Sequence, residues 1–179
     1  PIGHAADGAI TALAARGDGL IAAATARGVS VFGADPASAS AIAARGVEVL
    51  AFDPRGGWLA AAGKDGPVRI WSLAAAPAQL ATLDGPTNNT RVIAVAGDHL
   101  AAGGDDGDVR LWTRLDPASR IAVTRHAGGV TALAFDPTGR WLVSTVRDHH
   151  ISRSPLGGAP SSITVPDAVA SLAIAPDGT

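Results

Sequence analysis

The sequence predicts an all-β fold built from repeated units of four short antiparallel strands. Apolar residues alternate with a period of two over short stretches, Asp-Pro and Asp-Gly pairs separate those stretches, and the whole pattern recurs along the 179 residues. An α-helix would need apolar residues spaced three and four apart, and it would not tolerate Pro and Gly at these regular positions. Strands joined by tight turns account for all three observations.

The clearest copy of the repeat lies at residues 47–71, VEVLAFDPRGGWLAAAGKDGPVRIW. An alternating apolar strand leads into a turn at Asp53-Pro54, a second strand leads into a turn at Asp65-Gly66, and a third strand ends at Trp71. Asp-Pro and Asp-Gly are typical of the tight turns that join antiparallel strands. The copy therefore predicts a meander of short strands.

The same scheme recurs along the chain. Residues 92–112 repeat it with a shortened first turn, and residues 130–154 repeat it in full. Residues 10–32 form a weaker copy, and residues 169–179 supply the first strand and turn of a fifth. The positions that close the third strand are spaced by about 40 residues, which suits four short strands; they are Phe32, Trp71, Trp112 and Ser154.

Runs of alanine fill the predicted second strands at residues 22–24, 60–62 and 101–102. Alanine is depleted in β-sheets, so these runs need an explanation. Tight packing where little room exists is one interpretation, and codon bias is the other. Heavy use of Ala, Gly, Arg and Pro is typical of a GC-rich genome, and we expect a bacterial source.

These features resemble the WD-repeat family, which has a period of roughly 40–45 residues, a Gly-His before the first strand, an Asp-Gly turn and a closing Trp. The resemblance covers essentially the whole chain and implies a β-propeller, a radial array of four-stranded antiparallel blades. We expect one propeller segment over residues 1–179, as part of a larger propeller. Its blades are expected at approximately residues 4–44, 45–86, 87–126 and 127–166, with part of a fifth at 167–179.

Members of this family often share a buried, hydrogen-bonded set of His, Ser or Thr, Asp and Trp within one blade, but no blade here holds all four. The resemblance places His126, Ser144 and Asp148 in the fourth blade, Asp106 and Trp112 in the third, and Asp65 and Trp71 in the second. Ser154 stands at the Trp position of the fourth blade, and Ala102 and Ala61 stand at the Ser position of the other two. We therefore expect smaller buried polar networks than usual, with Trp71 and Trp112 in the core.

Composition bears on several classes of partner. The formal net charge is −2 and the charges are dispersed, so we expect neither nucleic acid nor an anionic membrane as a partner. No apolar run approaches the ~18 residues of a membrane span. The chain has no cysteine, which excludes disulfides and thiolate metal sites and leads us to expect a cytoplasmic protein.

Residues that suggest catalysis or metal binding have simpler explanations. Adjacent strand residues point to opposite faces, so residues 148–150, Asp-His-His, are a poor metal site. His126, Ser144 and Asp148 are the residue types of a hydrolase triad, but the repeat explains all three as structural. Residues 105–108, DDGD, lack the remaining acids of a calcium loop, and the glycine pairs lie at turns and open no helix. We expect no catalytic, cofactor or metal site.

Loops carried by rigid blades are the expected binding surface. In the resembling family the residue before the turn Asp commonly faces the top surface, and those residues here are Thr25, Lys64, Asp105 and Arg147. The loops before the first strands add Asn88, Asn89, Arg125 and His126. Their charges are mixed and no aromatic residue dominates. Plain solvated surface is the alternative for each one, because few surface residues carry binding energy.

The function predicted from these features is a non-catalytic scaffold or target-recognition module that binds a protein or peptide. The alternative is the sensor propeller of a larger bacterial signalling enzyme, an NTPase or a protease, whose catalytic domain lies outside this chain. Within the chain, the predicted strand at residues 169–175 lacks hairpin partners. An unpaired edge invites pairing, so we expect either continuation into further blades or self-association.

Overall fold

The computed structural model describes residues 8–33, 39–113, 115–146, 150–167, 169, 172 and 174. Within these residues sixteen strands form four antiparallel sheets of four strands each, and adjacent strands of a sheet are consecutive in sequence. The prediction of an all-β chain of four-stranded blades is confirmed. The predicted fifth first strand falls largely outside the described residues.

Each blade is a simple meander. Blade 1 contains β1 (Ala12–Ala15), β2 (Ile21–Ala24), β3 (Val29–Phe32) and β4 (Ser40–Ile42). Blade 2 contains β5 (Val47–Phe52), β6 (Trp58–Gly63), β7 (Val68–Ser72) and β8 (Gln79–Leu83). Blade 3 contains β9 (Thr90–Ala96), β10 (His99–Gly104), β11 (Asp108–Thr113) and β12 (Ile121–Arg125), with a 3-10 turn at Pro117–Ser119 before β12. Blade 4 contains β13 (Val130–Phe135), β14 (Trp141–Val146), β15 (His150–Pro155) and β16 (Ser161–Thr164).

The turns explain why these short strands reverse where they do. Asp53 accepts hydrogen bonds from the backbone N–H groups of Arg55 at 3.0 Å and Gly57 at 2.9 Å, which fixes the turn between β5 and β6. The turn after β6 needs glycine at position 66, where φ is +92° and a Cβ atom would lie 2.4 Å from the Pro86 carbonyl oxygen. Local sequence therefore sets both reversals of this blade.

The first strands form the inner side of the array. Strands β1, β5, β9 and β13 contact one another in chain order, while β4, β8, β12 and β16 lie at the opposite edges of their sheets. Two interblade hydrogen bonds join these inner parts: Thr11 Oγ1 donates to the Val47 carbonyl at 2.7 Å, and Thr90 Oγ1 donates to the Gly66 carbonyl at 2.5 Å. The blades are thus arranged side by side as propeller blades are.

Apolar side chains fill the three interfaces between successive blades. Each interface buries the alanines of the second strands: Ala22, Ala60 and Ala101 all have no exposed surface. In blades 2 and 3 the second strand is covered on both faces, so large side chains have no room there. The structure thus agrees with tight packing as the explanation for the alanine runs.

One position on the first strand shows where the array is uncovered. Leu50, Ile93 and Leu133 occupy equivalent places in blades 2, 3 and 4 and are 8%, 9% and 8% exposed, because each packs against the preceding blade. Leu13 pairs with Ala23 as Leu50 pairs with Ala61, so it is the equivalent residue of blade 1. It is 64% exposed. In the described part of the chain, this face of blade 1 has no blade against it.

Candidate functional site

Two of the predicted interaction residues lie in the turns between the second and third strands. Lys64 follows β6 with 77% of its side chain exposed, and its Nζ atom lies 3.4 Å from Oε1 of Glu48. Asp105 follows β10, and its carboxylate accepts a hydrogen bond from Nε of Arg91. Thr25, by contrast, is only 8% exposed, and its hydroxyl group donates a hydrogen bond to the Gly28 carbonyl at 3.4 Å within its own turn.

The fourth residue of that predicted set, Arg147, lies outside the described residues. In blades 2 and 3 the turn residue is paired with a charged residue of the first strand.

Those first-strand residues, Glu48 and Arg91, are positioned by β-bulges. The pairing of β5 with β6 shifts between Val47 and Val49, which leaves Glu48 as the extra residue. In blade 3 the partners of Gly103 and Gly104 are Val92 and Thr90, so Arg91 is the extra residue there. A bulge bends the strand and redirects a side chain. Here it turns a charged side chain of an inner strand towards the neighbouring turn.

Blade 4 has a β-bulge at the same position, but its extra residue is neutral. Its register shifts between Val130 and Ala132, and Thr131 at the bulge donates a hydrogen bond to the Thr145 carbonyl at 3.2 Å. The sequence contained a usable signal for these bulges, because a polar residue interrupts each apolar first strand at the same place. Sequence reasoning missed Glu48 and Arg91 because it treated the first strands as uniformly alternating.

The two ion pairs influence each other across the boundary between blades 2 and 3. The hydrogen bond to the Asp105 carboxylate raises the pKa of the Arg91 guanidinium, partial burial lowers it, and the charge of Glu48 in the next blade raises it further. Glu48, Lys64, Arg91 and Asp105 therefore form one group of alternating charges, which we call the rim cluster. It lies at the ends of the inner strands where the second-to-third-strand turns converge.

The ion pairs of the rim cluster can be replaced at little cost in free energy. Its four side chains are 34–77% exposed and carry no net charge. Exposed ion pairs contribute only about 0–1 kcal/mol each, so an incoming molecule that supplies complementary charges replaces them at little cost. Charges placed in this way act mainly on association rate and on the choice of partner.

Asn88 and Asn89 lie beside this cluster. Asn88 is exposed and adopts a left-handed conformation with φ of +78°, which is tolerated by asparagine. Asn89 is partly buried, and its backbone carbonyl accepts a hydrogen bond from the N–H of Asp105 at 3.2 Å. The Oδ1 atom of Asn89 is buried and accepts no hydrogen bond from the part of the chain that the structure describes. Asn89 therefore supports the turn that carries Asp105, and Asn88 is the member of the pair that solvent reaches.

Arg125 belongs to a different group, at the outer strands of blade 3. Its Nη1 atom lies 3.1 Å from Oδ1 of Asp108, and Asp108 also contacts Arg110 at 3.4 Å. Arg110 in turn pairs with Asp106 at 2.8 Å, and the side chains of these two residues are only 10% and 14% exposed. In blade 2 the equivalent pair is Asp65 with Arg69. These pairs brace the hairpin between the second and third strands.

The structure joins two of the three polar residues expected in blade 4. His126 Nε2 lies 2.8 Å from Ser144 Oγ. Asp148 lies outside the described residues, as does His149. Among the residues that are described, no group of three or more His, Asp or Glu side chains is arranged to hold a metal ion. Nor does any described helix have the length and hydropathy to cross a membrane.

The two tryptophans differ in burial. Trp112 is completely buried between blades 2 and 3, while Trp71 is partly exposed and packs on the interface between blades 1 and 2. Both indole N–H groups are buried, and neither has a hydrogen-bond acceptor among the described residues. Ala102 lies diagonally across from Trp112 on the same face of the sheet, and alanine supplies no acceptor.

Comparison with known protein families shows the family to which the chain belongs. Residues 43–72, 77–113 and 119–152 match the family described as WD domain, G-beta repeat. These segments together make up more than half of the sequence, so the chain belongs to the WD-repeat family. The second and third of these segments each begin with the outer strand of one blade, β8 or β12, and continue into the next blade.

A solved structure shows the same fold. A chain in a crystal structure of the mitotic checkpoint complex superposes with a TM-score of 0.82 and 22% sequence identity, over 93% of this chain and 53% of that chain. The chain described here thus spans about half the length of that relative. A search of curated proteins finds no match. At this identity the likeness establishes the propeller fold alone.

Proposed function

We propose that this chain is a non-catalytic protein-interaction module, and that the rim cluster is the surface that binds the partner. The observation that carries the proposal is the pair of bulges at Glu48 and Arg91. Blades 2 and 3 both have a β-bulge at the same position of the first strand, and each bulge brings a charged side chain to a charged turn residue. β-bulges are common near functional sites, where they redirect a side chain.

The charge pattern indicates the chemistry of the partner. Along the cluster the signs run positive, negative, positive, negative, from Lys64 through Glu48 and Arg91 to Asp105. A protein segment that carries both acidic and basic side chains fits this surface better than a uniformly charged polymer does. Partner recognition by such a surface depends on salt concentration, because the groups are exposed.

The test uses affinity capture with a matched control. The rim variant carries Glu48→Gln, Lys64→Gln, Arg91→Gln and Asp105→Asn. The control variant neutralises two acids and two bases at the opposite ends of the strands: Asp18→Asn, Arg55→Gln, Asp98→Asn and Arg140→Gln. Both variants keep the net charge unchanged, and circular dichroism establishes that both are folded.

We expect wild type and the control variant to retain the same proteins from a cell extract, identified by mass spectrometry, and the rim variant to lose them. Retention of the same proteins by the rim variant at the same salt concentration would show that binding occurs elsewhere. Loss from the control variant alone would place the surface at the opposite turns.

A further inference from the structure

The interface between blades 3 and 4 differs from the other two in its third-strand side chains. In blade 2, Arg69 faces Ala61 across the hairpin, and in blade 3, Arg110 faces Ala102. At the equivalent place in blade 4, Ser152 faces Ser144. The long arginine side chain that occupies this groove in blades 2 and 3 is thus replaced by a hydroxymethyl group.

The neighbouring position shows the same change. Trp112 faces Leu100 in blade 3, and Ser154 faces Leu142 in blade 4. Ser152 and Ser154 are nevertheless 5% and 1% exposed, so both still point into the interface. Their hydroxyl groups lie 3.4 Å apart. Two small side chains where an arginine and a tryptophan would stand leave room between the blades.

Ser152, but not Ser154, lines an open cavity of about 420 Å³ between β12 of blade 3 and the outer strands of blade 4. This volume lies within the range of sites that bind small groups. The polar side chains that line it include one guanidinium, two imidazoles and several hydroxyls, and among the described residues no carboxylate lines it. The lining side chains that could donate to a ligand are Arg125, Ser152 and Ser162. His126, His150 and Ser161 also line the cavity, but they contact Ser144, Thr164 and the Arg153 carbonyl, respectively.

The lining residues come from separate elements. Arg125 ends the outer strand of blade 3 and His126 follows it, and Nη1 of Arg125 is paired with Oδ1 of Asp108 at 3.1 Å. His150 and Ser152 belong to β15, and Ser162 pairs with Ser152 on β16. Guanidinium, imidazole and hydroxyl groups together are the donors that bind oxyanions through charge-assisted hydrogen bonds.

We propose that this cavity, on the outer circumference and away from the rim cluster, binds a phosphoryl dianion, either free or as a phosphorylated side chain. Phosphoryl binding at this cavity does not depend on the function proposed for the rim cluster. Arg125 supplies the permanent positive charge, and the serine hydroxyls supply directional donors. The group enters from the side of the propeller, where the cavity opens to solvent.

Nuclear magnetic resonance titration of the whole 179-residue chain tests this proposal. Inorganic phosphate, at constant ionic strength, is expected to shift the backbone amide signals around Arg125, Ser152 and Ser162 in a saturable way. A second titration with a short phosphoserine peptide and its unphosphorylated form separates the two sources of the phosphoryl group. If the peptide binds more tightly than inorganic phosphate, the source is a protein segment; if the two bind alike, it is the free anion.

Two variants make the result decisive. Arg125→Gln removes the guanidinium and is expected to weaken phosphate binding about tenfold or more, which is the scale of a lost charge-assisted hydrogen bond. Ser152→Leu fills the cavity and is expected to abolish binding. Arg120→Gln is the matched control, because Arg120 is an exposed arginine of the same blade that does not line the cavity; its affinity should equal that of wild type.

The proposal is wrong if phosphate produces no saturable shifts, or if Arg125→Gln and Arg120→Gln bind phosphate equally well. It is also wrong if N-acetylarginine amide saturates the cavity and phosphate does not, because the cavity would then select a cation. Should Ser152→Leu fail to fold, Arg125→Gln still decides the question, since Arg125 is an exposed side chain. The rim variant is expected to bind phosphate normally, so this test and that of the proposed function fail independently.

Discussion

The Nε2 atom of His126 lies 2.8 Å from the Oγ atom of Ser144, and this contact joins the loop entering blade 4 to the second strand of that blade. Ser144 is 2% exposed. We expect Ser144→Ala to lower the free energy of unfolding by about 1–3 kcal/mol, because it removes a buried hydrogen-bond partner of the imidazole. Urea denaturation followed by tryptophan fluorescence measures the change.

The control for this prediction is Ser162→Ala in the same blade. Ser162 is exposed, so its replacement is expected to change the free energy of unfolding by less than about 0.5 kcal/mol. Equal stabilities for the two variants would show that the His126–Ser144 contact contributes nothing to the fold.

The two tryptophans at the ends of the third strands should differ in their effect on stability. Trp112→Ala is expected to cost about 3–5 kcal/mol, since the side chain is wholly buried between two blades. Trp71→Ala should cost less, because part of that side chain is already in contact with water. Midpoints of guanidinium denaturation give the comparison. The assignment of Trp112 to the core is untenable if Trp112→Ala leaves the midpoint unchanged.

Asp106 should make stability depend on pH. Burial raises the pKa of its carboxyl group, but hydrogen bonds from Arg110 and from the backbone N–H groups of Thr87 and Asp108 outweigh burial and hold the pKa below its ordinary value. A lowered pKa in the folded state stabilises the fold above the ordinary pKa, and this stabilisation disappears as the pH falls through the folded-state pKa.

We therefore expect Asp106→Asn to be less stable than wild type by about 2 kcal/mol at pH 7. The difference should shrink steadily below about pH 4. Thermal denaturation at a series of pH values measures it. Asp105→Asn is the neighbouring control and should cost less than about 1 kcal/mol, since its ion pair is exposed. A difference for Asp106→Asn that stays constant from pH 7 to pH 2 would contradict the assignment.

The uncovered face of blade 1 leads to a prediction with its own controls. Leu13 is 64% exposed, whereas its equivalents Leu50 and Leu133 are each 8% exposed. Leu13→Asp is expected to leave the stability of the monomer nearly unchanged, while Leu50→Asp and Leu133→Asp should unfold it, because each would bury an unpaired charge. Circular dichroism at low protein concentration distinguishes these outcomes.

The same variant addresses self-association. If the face of blade 1 mediates contacts between copies, sedimentation velocity at rising concentration should show wild type associating and Leu13→Asp remaining monomeric. Association of both proteins to the same extent would place the contact elsewhere on the surface.

The sequence predicts most of the fold because the turns contain residues that few others could replace. Asp53 and Gly66 each determine a reversal through a hydrogen bond or a backbone conformation that few other residues provide. Hydrophobic alternation then sets which face of each strand is buried. Position in a turn does not by itself give exposure, because Thr25 is only 8% exposed and its backbone N–H donates a hydrogen bond to the Gly28 carbonyl at 2.8 Å.

The candidate site was only half predictable. Lys64 and Asp105 follow from their places in the turns, but the roles of Glu48 and Arg91 depend on a shift of backbone pairing that alternation alone does not reveal. The cavity between blades 3 and 4 was missed for a related reason. Nothing in the sequence singles out Ser152. Only the strand register shows that it occupies the position that Arg69 and Arg110 occupy in blades 2 and 3.

If a partner binds at the rim cluster, site-specific photocrosslinking detects that contact directly. A photoreactive amino acid placed at Lys64 should crosslink the captured partner, while the same amino acid at Arg140, on an exposed turn at the opposite ends of the strands, should not. Crosslinks from position 64 alone are the expected result. Crosslinks from position 140, with none from position 64, would contradict binding at the rim cluster.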